Sequence, residues 1–314
     1  MAEFPLNGLS AGNLLAYLAA LGTLRTASLA WPEREATMEW RSEAGAWRPV
    51  LALEGGMNED ELIDGLASLL ADGESLPALN LGDNLGIPVE QYRAALCSAQ
   101  HATQFADRRD VDFMAAFGSE AIQSKVNGKP TGQIADTAFR TMSGAGHQHF
   151  LGTIRTFIAD TRTEHLSKAL FCEWQYDDPL KNHSMRWDPQ DDIRYALRWQ
   201  NPSGDPKRVH AGSVWGANRL AIEALTLFPC VPSGNKLETT GFVRGLKGQS
   251  PELTWPVWKG PLGLDCVASL LATDELRQRV PNRSWLGKIG VVEVFRCRRI
   301  TQGKFRNFTP AVPA

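Results

Sequence analysis

Leu14, Leu15, Leu18, Leu21 and Leu24 recur at three- and four-residue intervals, a spacing that gathers one apolar face on a helix. Ser10 stands where a cap would open that helix, and Pro32 stops it. Two strands are predicted next, around Met38–Arg41 and Trp47–Leu53, joined by a turn at Gly45. Asn58 with Glu61 three positions on forms a capping box. It opens a helix through Leu62, Ile63, Leu66, Leu69 and Leu70, with Gly73 just past its end. Gly82 to Pro88 reads as a loop, and Pro88 starts a helix from Val89 to about Phe105.

The pattern then changes. Asn127-Gly-Lys-Pro-Thr-Gly132 is a polar, turn-forming loop flanked by Lys125 and Gln133. Phe150, Leu151, Ile154, Phe157 and Ile158 mark a helix, and a second follows over Thr163–Phe171. Strands are expected around Ser184–Trp187 and Arg194–Trp199, with an acidic turn, Asp188–Asp192, between them. A helix over Ser213–Phe228, strands at Glu238–Arg244 and Leu253–Trp258, a helix at Leu264–Ala272 and a strand over Ile289–Ile300 complete the reading. Helices and strands mix without a regular βαβ alternation, so the fold class is α+β with mostly antiparallel strands.

Charge divides the chain unevenly. Residues 1–90 carry 14 Asp and Glu against 4 Lys and Arg, whereas residues 91–314 carry 21 against 29. An acidic N-terminal lobe, 1–90, joined to a basic α+β lobe, 91–314, suits a protein that docks on partners at one end and meets phosphates at the other. A single domain with an uneven surface is the alternative. The five cysteines are widely spaced, with no C-x-x-C pair, which points to a reducing, cytoplasmic setting. No charge-free apolar run is long enough for a membrane span, and Met1–Gly12 lacks the basic start of a signal peptide.

Several motifs offer chemistry. Gly8-Leu-Ser-Ala-Gly12 has the G-x-S-x-G form of a nucleophile elbow, but too few residues precede it to supply the buried strand and oxyanion loop that the elbow requires. His147, His149, His165 and Cys172 are zinc-ligand types without zinc-site spacing. The aspartates from Asp177 to Asp192 suggest a metal-dependent nuclease as one alternative, although they fall in turns where Asp supports the backbone. No catalytic residue, metal or cofactor is expected. Basic and aromatic residues are denser between Lys181 and His210. On a strand, Arg194 and Arg198 share one face, and Arg296 and Arg298 repeat that alternation near the end. Cations on one face with rings nearby match the chemistry that grips phosphates and unstacked bases. The alternative is a half-buried sheet with a solvated basic side.

Three stretches carry a family resemblance: Gly12–Arg25, Met185–Ser203 and Val214–Ala221. Together they resemble large-subunit proteins of type I CRISPR effector complexes, the I-U/I-G-like group in particular. That resemblance implies a DNA-binding subunit that reads the target-adjacent motif in double-stranded DNA and helps to open the duplex. Its implied partners are CRISPR backbone subunits, guide RNA and a nuclease-helicase, with no membrane. Candidate DNA contacts are Lys125, Asn127, Lys129 and Gln133 in the polar loop. The others are Arg186, Arg194, Arg198, Lys207, Arg208, Asn218, Arg219, Arg296 and Arg298. A purely structural assembly protein is the remaining alternative.

Overall fold

The computed structural model describes residues 1–101, 108–142, 149–179, 183–190, 212–243, 250–302 and 305–314. The chain opens with a short strand, β1 (Ala2–Pro5), before helix α1 (Leu14–Ala30). Asn13 rather than Ser10 caps that helix, its side-chain oxygen accepting from the Ala16 amide at 3.2 Å. Strands β2 (Ala36–Glu43) and β3 (Ala46–Leu53) form the expected hairpin, turning through Ala44 and Gly45 at positive φ. The capping box at Asn58 and Glu61 is reciprocal, as its spacing predicts, and opens α2 (Glu59–Ala71). There follow α3 (Val89–Gln100), α4 (Arg108–Phe117) and a hairpin, β4 (Gly118–Val126) and β5 (Lys129–Asp136). Helices α5 (Phe150–Asp160), α6 (Thr163–Phe171) and α7 (Trp215–Ala224) come next. The last third holds β6 (Cys230–Ser233), β7 (Lys236–Thr239), β8 (Phe242–Val243), β9 (Glu252–Trp258), β10 (Leu262–Gly263), α8 (Leu264–Leu271), α9 (Arg283–Lys288), β11 (Val291–Gln302), β12 (Phe305–Phe308) and β13 (Val312–Pro313).

The fold is α+β, and every strand pairing among the described residues is antiparallel. One sheet runs β1-β3-β2-β10 and another β12-β11-β9-β8, with β13 also on β11. Helix α1 lies at the centre. Its residues from Leu14 to Ala27 are all buried, so the leucine stripe marks only one of its buried faces. The small residues between the leucines allow α7 to approach on another side. A Cβ placed on Gly22 would sit 1.8 Å from the Leu220 carbonyl oxygen, so this crossing needs glycine. On the sheet side Tyr17 stacks on Trp40 at 5.4 Å between ring centroids, and its hydroxyl donates to the Pro256 carbonyl at 3.0 Å. The indole nitrogens of Trp255 and Trp258 donate to the carbonyls of Ala11 and Met38, each at 2.9 Å. Tyr17, Trp255 and Trp258 thus bury their apolar bodies while their polar tips find partners, whereas the buried Trp40 Nε1–H has none among the described residues.

These contacts cross the expected division between residues 1–90 and 91–314. The charge division at residue 90 is no physical boundary: β10 extends the N-terminal sheet, α1 packs on α7, and one continuous buried cluster runs from Phe4 to Phe308. Surface charge sets solvation and steering, whereas apolar contacts set domain limits, and the two need not coincide. The Ser184–Trp187 segment forms no strand, and it lies buried beside α7. The expected strand at Arg194–Trp199 falls outside the described residues. Among the described residues no helix is long and apolar enough to cross a membrane.

Candidate nucleic-acid interface

The polar stretch 125–133 is the outer part of the β4–β5 hairpin. Asn127 and Gly128 occupy the two-residue turn with φ of 51° and 79°. That double positive φ is the turn whose twist suits a right-handed hairpin, and Asn-Gly is its preferred dipeptide. The sequence reading treated Asn127-Gly128 as a loop, whereas the same two letters between extended runs are the signal for a hairpin. Gly132, at φ 75°, shifts the register in the lower part of the ribbon.

The hairpin is fixed at its base and free at its tip. Ile134 is buried, its amide donates to the Ile87 carbonyl at 2.9 Å, and Gln133 bridges to Pro88. The Tyr92 hydroxyl donates to the Met114 and Gly118 carbonyls where α4 runs into β4. Further out, Lys125, Asn127, Lys129 and Gln133 are all exposed, and the Ser124 and Thr131 hydroxyls hydrogen-bond across the strands. From Ala121 to Ala135 the only charged side chains are Lys125 and Lys129. Neither lysine makes an ion pair among the described residues. The tip therefore presents two ammonium groups and a carboxamide to solvent on a two-stranded ribbon.

The structure does not bring the remaining candidates to this surface. Arg186 is buried at a positive φ of 59° and sits on no strand face. Asn218 is buried on α7, its side-chain oxygen accepting from the Met185 amide at 3.0 Å and its nitrogen donating to the Val214 carbonyl at 2.9 Å. Arg219 is likewise buried, donating to Glu223 at 3.0 Å and to the Leu70 carbonyl at 2.8 Å. All three are internal rather than exposed: α1 and α6 enclose the helix that carries Asn218 and Arg219, and Arg186 is buried in the segment packed beside that helix. Arg296 and Arg298 do share a face of β11, but both are engaged. Arg296 donates to Thr254 and to the Arg279 and Gln278 carbonyls at 2.9, 2.8 and 2.7 Å, and exposed Arg298 pairs with Glu252 at 2.8 Å. Arg194, Arg198, Lys207 and Arg208 lie outside the described residues.

The acidic stretch resolves into separate local duties. Asp177 pairs with Lys168 at 3.0 Å, and that lysine holds its carboxyl below the ordinary range. Asp178 accepts from the Trp215 amide at the start of α7 at 2.8 Å, and Asp188 accepts from Asn13 at 3.2 Å. Asp191 and Asp192 lie outside the described residues. Among the described residues no three His, Cys, Asp or Glu side chains gather as a metal site.

Sequence reasoning missed two other charged groupings. Buried Arg25, Arg109, Arg219 and Glu223 meet where α1, α4 and α7 converge. Arg299 and Arg306 line a cleft at the foot of the hairpin. The first could not be read from spacing, since its members come from three distant segments. The second breaks the visible alternation, since Arg299 lies on the face of β11 opposite Arg296 and Arg298. Compared with known proteins, the chain matches no family model and no curated protein.

Proposed function

We propose that this protein is a non-catalytic nucleic-acid-binding subunit that contacts duplex DNA through the β4–β5 hairpin. One observation carries the reading: a base-anchored, two-stranded ribbon whose exposed tip bears Lys125, Asn127 and Lys129 with no acidic neighbour in the hairpin's outer part. The major groove of B-DNA admits such a ribbon, lysines hold backbone phosphates, and a carboxamide at the tip can exchange hydrogen bonds with a base edge. The narrower reading, a subunit of a type I CRISPR effector complex that works with backbone subunits, guide RNA and a nuclease-helicase, is supported by the sequence resemblance alone. In that setting the hairpin is the reader of the target-adjacent motif, while guide pairing reads the rest.

The test is duplex binding by fluorescence anisotropy across a salt series. Lys125→Gln with Lys129→Gln is expected to weaken binding and to flatten the salt slope by about two, one for each lost phosphate contact. Asn127→Gly keeps a turn that tolerates positive φ and removes the carboxamide. It is expected to cost about 1–3 kcal/mol on a preferred duplex and little on unrelated ones. Unchanged binding in the double lysine variant refutes the hairpin interface. Incubation with magnesium or manganese should leave DNA and RNA intact, and cleavage there refutes the non-catalytic reading. Copurification with the backbone subunits and guide RNA tests the narrower one.

A further inference from the structure

Where β5 returns from the hairpin tip it delivers Asp136 and Thr137 to a cleft of about 290 Å³, closed on other sides by the end of β7 and by the β11–β12 ribbon. At ~30 Å³ per water this is room for roughly ten waters, or for one phosphate group with part of its hydration. Arg299 and Arg306 enter it from the ribbon. Arg299 lies opposite Phe308 in the register, which puts Arg306 two residues along on the same face, a diagonal neighbour.

The two carboxylates of the cleft are already committed to other arginines. Asp136 pairs with Arg140, and Glu238 pairs with Arg277. Neither Arg299 nor Arg306 forms an ion pair among the described residues. Arg299 donates to the Ala138 carbonyl at 2.7 Å, and Arg306 donates to the Arg140 carbonyl at 3.3 Å. The Arg299 Nε–H is buried with no hydrogen-bond partner among the described residues. Burial, and then the charge of Arg306, push the Arg299 guanidinium down from its ordinary value, whereas Asp136 acts the other way and more weakly. Two like charges therefore face one cavity with donors left over, and a buried donor without a partner is costly. An oxyanion seated between the two guanidiniums neutralises their mutual repulsion. The fork geometry of guanidinium suits tetrahedral phosphate oxygens.

We propose that this cleft is a phosphate-binding site, taking the phosphodiester of a nucleic-acid strand or the phosphate of a nucleotide. Asp136 stands seven positions along β5 from Lys129. At a rise of ~3.3 Å per position that is roughly 20 Å, so cleft and tip are distinct contact points. The test uses the full chain with three probes: inorganic phosphate and adenosine monophosphate by calorimetry, and a short labelled single strand by anisotropy. Arg306→Gln is expected to weaken whichever probes bind by about tenfold, and Arg306→Lys to retain most of the affinity. A response to all three assigns the cleft to a polynucleotide backbone, and a response to the two small anions alone assigns it to a nucleotide or free phosphate. Lys125→Gln with Lys129→Gln should leave the small-anion response intact, so the cleft and the hairpin fail or stand separately. Absence of small-anion binding by the unmodified protein, or equal affinity in Arg306→Gln, overturns the assignment.

Discussion

Removing the Glu223 carboxylate strands buried positive charge at the centre of the fold. Glu223 is fully enclosed and lies 2.5 Å from Arg25, 3.0 Å from Arg219 and 3.6 Å from Arg109, all of them buried. One other acidic group joins the cluster: Asp112, 3.3 Å from Arg25 and partly exposed. Glu223→Gln keeps the shape and deletes the charge, leaving three buried guanidiniums against one carboxylate. Among the described residues Arg109 already has its Nε and one Nη without hydrogen-bond partners. Breaking a buried pair from one side costs ~3–5 kcal/mol, against a total of ~5–15 kcal/mol for a typical fold. With a urea m-value near 3 kcal/mol/M, the unfolding midpoint should fall by roughly 1–2 M. Pairing Glu223→Gln with Arg219→Met should recover part of the loss, because one of the stranded charges goes too. Burial acts to raise the Glu223 carboxyl, but Arg219, Arg25 and Arg109 outweigh it and hold it below the ordinary value. A lowered folded-state value means its stabilisation is fully present above the unfolded value of ~4.3 and is lost as pH falls through the folded one. Wild type should therefore lose stability below about pH 4 more steeply than Glu223→Gln. The reasoning is refuted if Glu223→Gln unfolds within about 0.5 kcal/mol of wild type at neutral pH.

Other outcomes follow from contacts already described. Gly22→Ala drives a methyl into the Leu220 carbonyl and should lower stability by ~1–3 kcal/mol, read as a drop in melting temperature, with an unchanged melt arguing against the tight crossing. Cys97, Cys172 and Cys266 are exposed whereas Cys230 and Cys297 are buried, and burial raises both of the latter thiols, that of Cys230 to about 11. A colorimetric thiol reagent at mildly alkaline pH should thus titrate three cysteines in the native protein and all five after denaturation, and prompt reaction of five would contradict the packing. Gly128→Val, at φ 79°, should speed amide exchange across β4 and β5 while barely moving the global melt, because the strained turn lies in the exposed half of the ribbon.

Local rules carried the sequence reading far. The capping box at Asn58 and Glu61, the β2–β3 hairpin, the helices over Phe150–Asp160 and Thr163–Phe171 and the long strand at Val291–Gln302 each depend on neighbours within a few residues, and each stands where the pattern puts it. Mixed helices and antiparallel strands could be read for the same reason. The polar residues of the hairpin tip were also legible, although their pairing went unread until both strands were seen. What tertiary structure alone decided was which charges face water. Arg219 and Arg296 look alike in a string of letters, as do Arg298 and Arg299. Burial in α7, a set of backbone carbonyls, a surface glutamate and an open cleft give the four different chemistry. The leucine spacing of α1 could not show that Gly22 admits a second helix, because the atom it must avoid belongs to Leu220. Side-chain periodicity reports the geometry of one element. Exposure and ion pairing depend on groups far along the chain, which only the folded packing brings together.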